Sequence, residues 1–115
     1  MQNFVVKYEK IFGVEVVNIE FELGDLKFEW NSEKAELNFK KHKVKFKTAA
    51  RVFLDENNLD DYDELHSDDE NRFKIIGKVD KVLVVIYTER RERIRIISAR
   101  YATKKEECEY YEQFY

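Results

Sequence analysis

Val17, Ile19 and Phe21 alternate with Asn18, Glu20 and Glu22, the two-residue period of a half-buried strand, and Phe4 to Tyr8 is rich in β-branched and aromatic residues. These runs predict one or two strands within residues 1–25, with Phe12-Gly13 as a turn between them. Leu26 to Trp30 predicts a further short strand. Asn31 or Ser32 then caps a helix reaching Lys43, with Ala35, Leu37, Phe39 and His42 on a partly apolar face. A second helix is expected from Lys47 or Thr48 through Phe53. Residues 55–69 are too acidic for a core and are expected as loop with a weak strand. Three better strands follow, Arg72 to Val79, Lys81 to Thr88 and Arg93 to Arg100, which short connections join into an antiparallel meander. Thr103 caps a last helix that ends in Tyr110, Tyr111, Phe114 and Tyr115. The pattern predicts an α+β fold: a small antiparallel sheet, two helices on its N-terminal side and one C-terminal helix. Residues 1–25 form an N-terminal extension of one or two strands, in the same domain as residues 26–115.

Composition narrows the class. With 115 residues, 43% of them hydrophobic and 15% aromatic, the chain has the material for one compact domain despite its 39% charged residues. No apolar run approaches the ~18 residues of a membrane span, and the N-terminus lacks a secretory pattern, so a cytoplasmic protein without membrane contact is expected. Cys108 is the single cysteine, which excludes an internal disulfide and a cysteine zinc site. His42 and His66 lie too far apart in the sequence for a metal motif, and the carboxylates of 55–70 lack EF-hand spacing. No metal and no cofactor is expected. The net charge of −3 hides a segregated pattern. Residues 27–53 carry eight basic and three acidic side chains, residues 54–70 nine acidic and no basic ones, and residues 89–100 five Arg against two Glu. Such blocks place a basic face beside an acidic one.

The order helix, helix, meander, helix is then joined by specific wording. Phe28-Glu29-Trp30-Asn31 leads into Lys34-Ala35-Glu36-Leu37-Asn38-Phe39-Lys40-Lys41-His42-Lys43-Val44-Lys45-Phe46. Ala49 to Phe53, His66 to Phe73, Thr88-Glu89-Arg90, Ile94 to Arg100 and Ala102 to Glu106 continue the series. In this order the segments resemble the BrnT family of ribonuclease toxins, over residues 27–112. The resemblance implies a RelE-like fold and cleavage of RNA. It also implies a ribbon-helix-helix antitoxin that neutralises the toxin in a hetero-oligomer and brings it to operator DNA. Lys43 and Arg91 stand where the family carries glycine, a departure that matters if either site needs a positive φ.

Cleavage of RNA without a metal uses the neighbouring 2′-hydroxyl and needs a base, an acid and cations for the charged phosphorane. If Arg90-Arg91 is a two-residue turn, Thr88, Arg93 and Arg95 share one sheet face, while Tyr87, Glu89, Ile94, Ile96 and Arg100 point to the more apolar face that meets the helices. Arg95, a guanidinium fixed in a strand, is expected to stabilise phosphate charge, with Arg93 and Arg90 binding RNA beside it. Its structural alternative is an ion pair with a cross-strand acid. Glu89 is a candidate base or a group that orients an arginine, with solvated surface beside the turn as its alternative. His42 and His66 are candidates for proton exchange because an unperturbed imidazole has its pKa near neutrality, but His42 also suits a helix C-terminus and His66 an acidic loop. Arg100 and Lys104 stand where the last strand meets the last helix, and the resemblance implies phosphate contacts there, with ordinary ion pairing as the alternative; Lys104 and Lys105 oppose the dipole of that helix and are candidates for binding RNA instead. The competing class is a catalytically inactive module that serves only as antitoxin partner and co-repressor. Direct DNA binding is disfavoured by net acidity and the lack of a basic recognition helix. Trp30, Phe39, Phe46, Phe53 and Phe73 are expected in the core.

Overall fold

The computed structural model describes residues 3–115; Met1 and Gln2 of the N-terminal extension lie outside them. Three strands open the chain: β1 (Asn3–Ile11), β2 (Val14–Leu23) and β3 (Leu26–Asn31). Helices α1 (Ser32–His42) and α2 (Phe46–Ala50) follow, and α2 runs on into a 3-10 turn over Arg51–Leu54. Then come β4 (Leu59–Tyr62), β5 (Phe73–Val79), β6 (Lys81–Arg90), β7 (Arg93–Tyr101) and α3 (Lys104–Glu112).

All seven strands join one sheet in the order β1-β2-β3-β7-β6-β5-β4. The expected small antiparallel sheet is therefore too small and too uniform. The meander β5-β6-β7 forms as expected, but β4 adds an edge from the acidic segment, and the opening strands extend the other side. One pair is parallel: β3 lies beside β7, with Phe28 opposite Ile94 and Glu29 opposite Arg95. The cause is topological. The chain leaves β3 through α1 and α2, crosses to the far edge, and builds the meander back inward until β7 meets β3.

Turns carry the positive φ values. Phe12 (φ 51°) and Gly13 (φ 78°) close the β1-β2 hairpin, and Arg91 (φ 51°) and Glu92 (φ 65°) close β6-β7. Two successive left-handed residues match the twist of a tight hairpin. The β6-β7 turn is thus Arg91-Glu92, not Arg90-Arg91, and Arg90 pairs with Arg93 and Thr88 with Arg95. Lys43 ends α1 in the left-handed conformation (φ 62°), its N–H donating to the Phe39 carbonyl at 2.8 Å. Lys43 and Arg91, the two positions at which the resemblance implies glycine, both adopt a positive φ. At the other end of α1, the Asn31 side chain accepts from the Lys34 N–H. The second helix is shorter than expected because the chain tightens at Arg51 to lie on β5. Gly77 permits this approach from within β5: a Cβ there would sit 2.6 Å from a Val52 methyl.

The helices cover opposite faces. On one, Phe28, Trp30, Leu83, Val85, Ile96 and Ala99 meet Val44, Phe46, Ala49 and Val52 beneath α1 and α2. Phe4 of β1 stacks on Phe21 at 4.8 Å and meets Trp30 edge-on, so the N-terminal hairpin continues this core. On the other face, Ile76, Val82 and Val84 are covered by Tyr110 of α3. Of the aromatic residues expected in the core, Phe39 is not there: it is 39% exposed, because Asn38 takes the inward position of α1.

Candidate functional site

The arginines gather on the face that α3 only partly covers, and a bulge is responsible. Tyr87 pairs with Ile96 and Ile86 with Ser98, which leaves Ile97 as an extra residue in β7. Alternation resets there, so Arg100 opposite Val84 points to the same face as Arg95 opposite Thr88. The expectation that Arg100 faces the α1 and α2 side is corrected by this bulge. Arg90 and Arg93, adjacent across the ladder, share the face of Arg95 and Thr88.

Each of the three β7 arginines meets a carboxylate. Arg95 donates to Glu29 Oε2, directly across the parallel pair. Arg93 approaches Glu20 Oε1 at 3.4 Å and the Phe28 carbonyl at 3.5 Å, both loose contacts. Arg100 forks onto Glu106 at 2.7 and 3.0 Å. Glu29 and Glu20 are thus acids supplied by strands outside the meander, and a reading of β6 and β7 alone misses them. The hint lies in Phe21, Phe28 and Trp30: with those rings in the core, Glu20, Glu22 and Glu29 must emerge on the opposite face.

At the β6-β7 turn these groups enclose a cleft of about 220 Å³, whose wall includes Glu20, Glu29, Arg90, Arg91, Arg93 and Asn18. Lys7 of β1 reaches Glu20 Oε2 at 3.1 Å and closes one side. Glu29 is buried, with Oε2 engaged by Arg95. Asn18 is also buried, and its Oδ1 has no hydrogen-bond partner. An acceptor left unpaired in this way costs about 1–3 kcal/mol. A carboxylate held by one guanidinium beside a second, loosely held guanidinium can take a proton and neutralise an oxyanion in one place.

The other expected site residues divide by face. Glu89, opposite Ile94, is exposed on the α1 and α2 side of the sheet, away from Arg95. His42 is half-buried in the last turn of α1 on that same side. The expected grouping of Arg95, Arg100, Glu89 and His42 is therefore not assembled, since the sheet separates its two halves. His66 is exposed and bonds Asp63 at 2.6 Å, while the Ser67 hydroxyl donates to the Asp63 carbonyl and accepts from the Arg72 N–H. That pair organises the acidic loop. Lys104 and Lys105 are exposed in the first turn of α3. Among the described residues no group of three or more His, Cys, Asp or Glu is placed to hold a metal ion, and no helix is long and apolar enough to cross a membrane.

Glu106 anchors α3 to the sheet. Besides Arg100 it meets Lys74 at 2.7 Å, accepts from the Thr103 N–H, and closes a capping box with the Thr103 hydroxyl. The Arg100 guanidinium, opposed by burial and then aided by Lys74 and the Thr103 N–H, holds this carboxyl well below the usual range. Because the folded value lies below the unfolded one, the stabilisation is complete above the ordinary carboxyl value of 4.5 and drains as pH falls. Urea midpoints measured from neutrality down to about pH 2 should therefore fall more steeply for the wild type than for Glu106→Gln. Parallel curves would remove Glu106 from the acid response.

On the same end of the molecule, burial and the Asp55 carboxylate push the Tyr110 phenol up to about 12. Its hydroxyl donates to Asp55 Oδ2 at 2.5 Å. Asp55 is raised by burial but lowered further by that bond and by the Lys78 and Asn57 N–H groups, for a net downward shift.

Comparison with known proteins agrees with this architecture. No curated protein matches the chain. The 1.1 Å crystal structure of the Brucella abortus ribonuclease toxin, BrnT, superposes with a TM-score of 0.50 at 23% identity, over 65% of this chain and 94% of that one. Residues 30–106 match the family described as the ribonuclease toxin, BrnT, of type II toxin–antitoxin systems. By that match, which spans well over half of its length, this chain belongs to the BrnT family of ribonuclease toxins.

Proposed function

We propose that the protein is a RelE-like endoribonuclease that cleaves RNA in the cytoplasm without a metal, using the cleft at the β6-β7 turn. The observation that carries this reading is the pairing of Glu29 with Arg95 beside the loosely held Arg93. Glu29 Oε2 is fixed by Arg95, which leaves Oε1 to accept the proton of a 2′-hydroxyl. Arg93 exchanges its long contacts for the phosphate, and Arg90 and Arg91 at the rim supply further positive charge. Arg100 acts differently: forked onto Glu106, which Lys74 also meets, it holds α3 in place. A ribbon-helix-helix antitoxin neutralises the toxin, and operator DNA is reached through that partner.

The inactive alternative rests on Lys43 and Arg91 standing where the resemblance implies glycine. Both residues adopt the left-handed conformation with their turns intact, so these departures bring local strain of about 1–2 kcal/mol each and leave the fold in place. The test is cleavage of a single-stranded RNA in excess EDTA, with the ends of the products analysed. Undiminished cleavage leaving 2′,3′-cyclic phosphate ends is expected, as is full resistance of an all-2′-deoxy substrate. Loss of cleavage in EDTA, restored by a divalent ion, would overturn the metal-independent reading.

A further inference from the structure

Away from the cleft, α1, its C-terminal loop and the β5-β6 hairpin enclose an open groove of about 500 Å³. It lies at the opposite end of β6, whose residues Lys81–Arg90 put the two sites ~30 Å apart, and on the other face of the sheet. Two aromatic rings line it, Phe39 at 39% and Tyr101 at 46% exposure. The Nζ atoms of Lys43 and Lys45 lie 5.9 and 5.7 Å from the Phe39 ring centre, and that of Lys81 lies 5.4 Å from the Tyr101 ring centre. Among the described residues none of these three lysines is in an ion pair, whereas the β7 arginines all are. Asp80 is the single acid among the described lining residues.

The sequence gives this region its sign: between Glu36 and Asp55 every charged residue is basic. The rings are outward for a local reason. Asn38 takes the buried position of α1 and turns Phe39 to the groove, while the β7 bulge sets Tyr101 on the same face as Leu83. Lys43 is kept at a left-handed position where glycine would be less strained.

We propose that this groove binds a single-stranded segment of RNA, with bases stacked on Phe39 and Tyr101 and phosphates on Lys43, Lys45 and Lys81. The proposal rests on the reading of the protein as one that acts on RNA. Stacking on a ring face accepts any unpaired base, and an ammonium lying over the ring in the free protein moves only a short way to the adjoining phosphate. A duplex offers no free base faces and is disfavoured. The groove thus holds substrate at a distance from the cleft, and it favours RNA long enough to reach both.

The test is fluorescence anisotropy with a labelled single-stranded oligonucleotide of about 12 nucleotides, within the span such grooves hold. It is 2′-O-methylated throughout, so that it cannot be cleaved through the 2′-hydroxyl. Tyr101→Ala should weaken binding ~10-fold and Tyr101→Phe by less than ~2-fold, because the ring face is what binds. Exchanging Lys43, Lys45 and Lys81 together for Gln should lower the salt slope of log K by about 2, as expected for three phosphate contacts on a single strand. Lys43→Gly should raise the thermal midpoint and weaken binding at once, two effects that unfolding cannot produce together. Unchanged affinity and slope in these variants would overturn the groove, whatever the cleavage assay shows. Lost binding with no cleavage by the wild type would uphold the groove and remove the nuclease reading.

Discussion

Glu29→Gln is expected to lower RNA cleavage by ~10²–10⁴-fold, the range for removal of a general base. The side chain keeps its shape and can still accept from Arg95 through its carbonyl oxygen, but it no longer takes up a proton. Arg95→Ala should depress the rate through Glu29, by releasing the carboxylate from the guanidinium that holds it. The two effects should therefore be strongly non-additive: the double variant should be little worse than Glu29→Gln. Arg93→Ala removes phosphate stabilisation and should lower the rate by ~10²–10³-fold. Rates compared at equal folded fraction, from circular dichroism, separate these losses from destabilisation. If Glu29→Gln cleaves like the wild type and His42→Ala does not, the chemistry belongs to the helix side of the sheet.

Much of this geometry can be read from periodicity, and the parts that cannot have identifiable causes. Thr88, Arg93 and Arg95 are assigned to one face, and Tyr87, Glu89, Ile94 and Ile96 to the other, by alternation alone, even though the turn lies one residue further on than expected. Moving the two-residue turn by one residue leaves the alternation within each strand intact. Arg100 is misplaced because nothing in Ile96-Ile97-Ser98 marks a bulge: Ile97 looks like any β-branched strand residue. The parallel β3-β7 contact is equally silent in the sequence. It joins residues 66 apart, Glu29 and Arg95, and follows from the order in which the chain crosses the sheet. With it went the acids of the cleft, because Glu20 and Glu29 read as solvated positions until their strands are placed beside β7. Apolar character alone assigns Phe39 to the core, although its polar neighbour at the preceding position takes the buried place.

That neighbour, Asn38, carries the second large effect. Its amide nitrogen donates to the Val44 carbonyl at 3.1 Å and the Ala99 carbonyl at 2.9 Å, and its Oδ1 accepts from the Ala99 N–H at 3.1 Å. One buried side chain therefore ties α1, the loop after it and β7 together at a point where no backbone ladder reaches. Asn38→Asp should destabilise the fold by about 4 kcal/mol, since a carboxylate cannot donate to two carbonyls and would be buried beside them. That lowers the thermal midpoint by on the order of 10 °C. Asn38→Leu, nearly the same size, should cost about 3 kcal/mol, because it orphans three backbone groups without burying a charge. The two variants should converge at low pH, where the aspartic acid is neutral and can donate one of the lost bonds. Equilibrium unfolding of both at neutral pH and near pH 4, the ordinary range of an aspartic carboxyl, reads this directly. A gap that persists at low pH would mean that volume, and not hydrogen bonding, sets the cost at position 38. The same residue directs Phe39 outward, so the stability of this contact and the exposure of the groove's first ring have one structural origin.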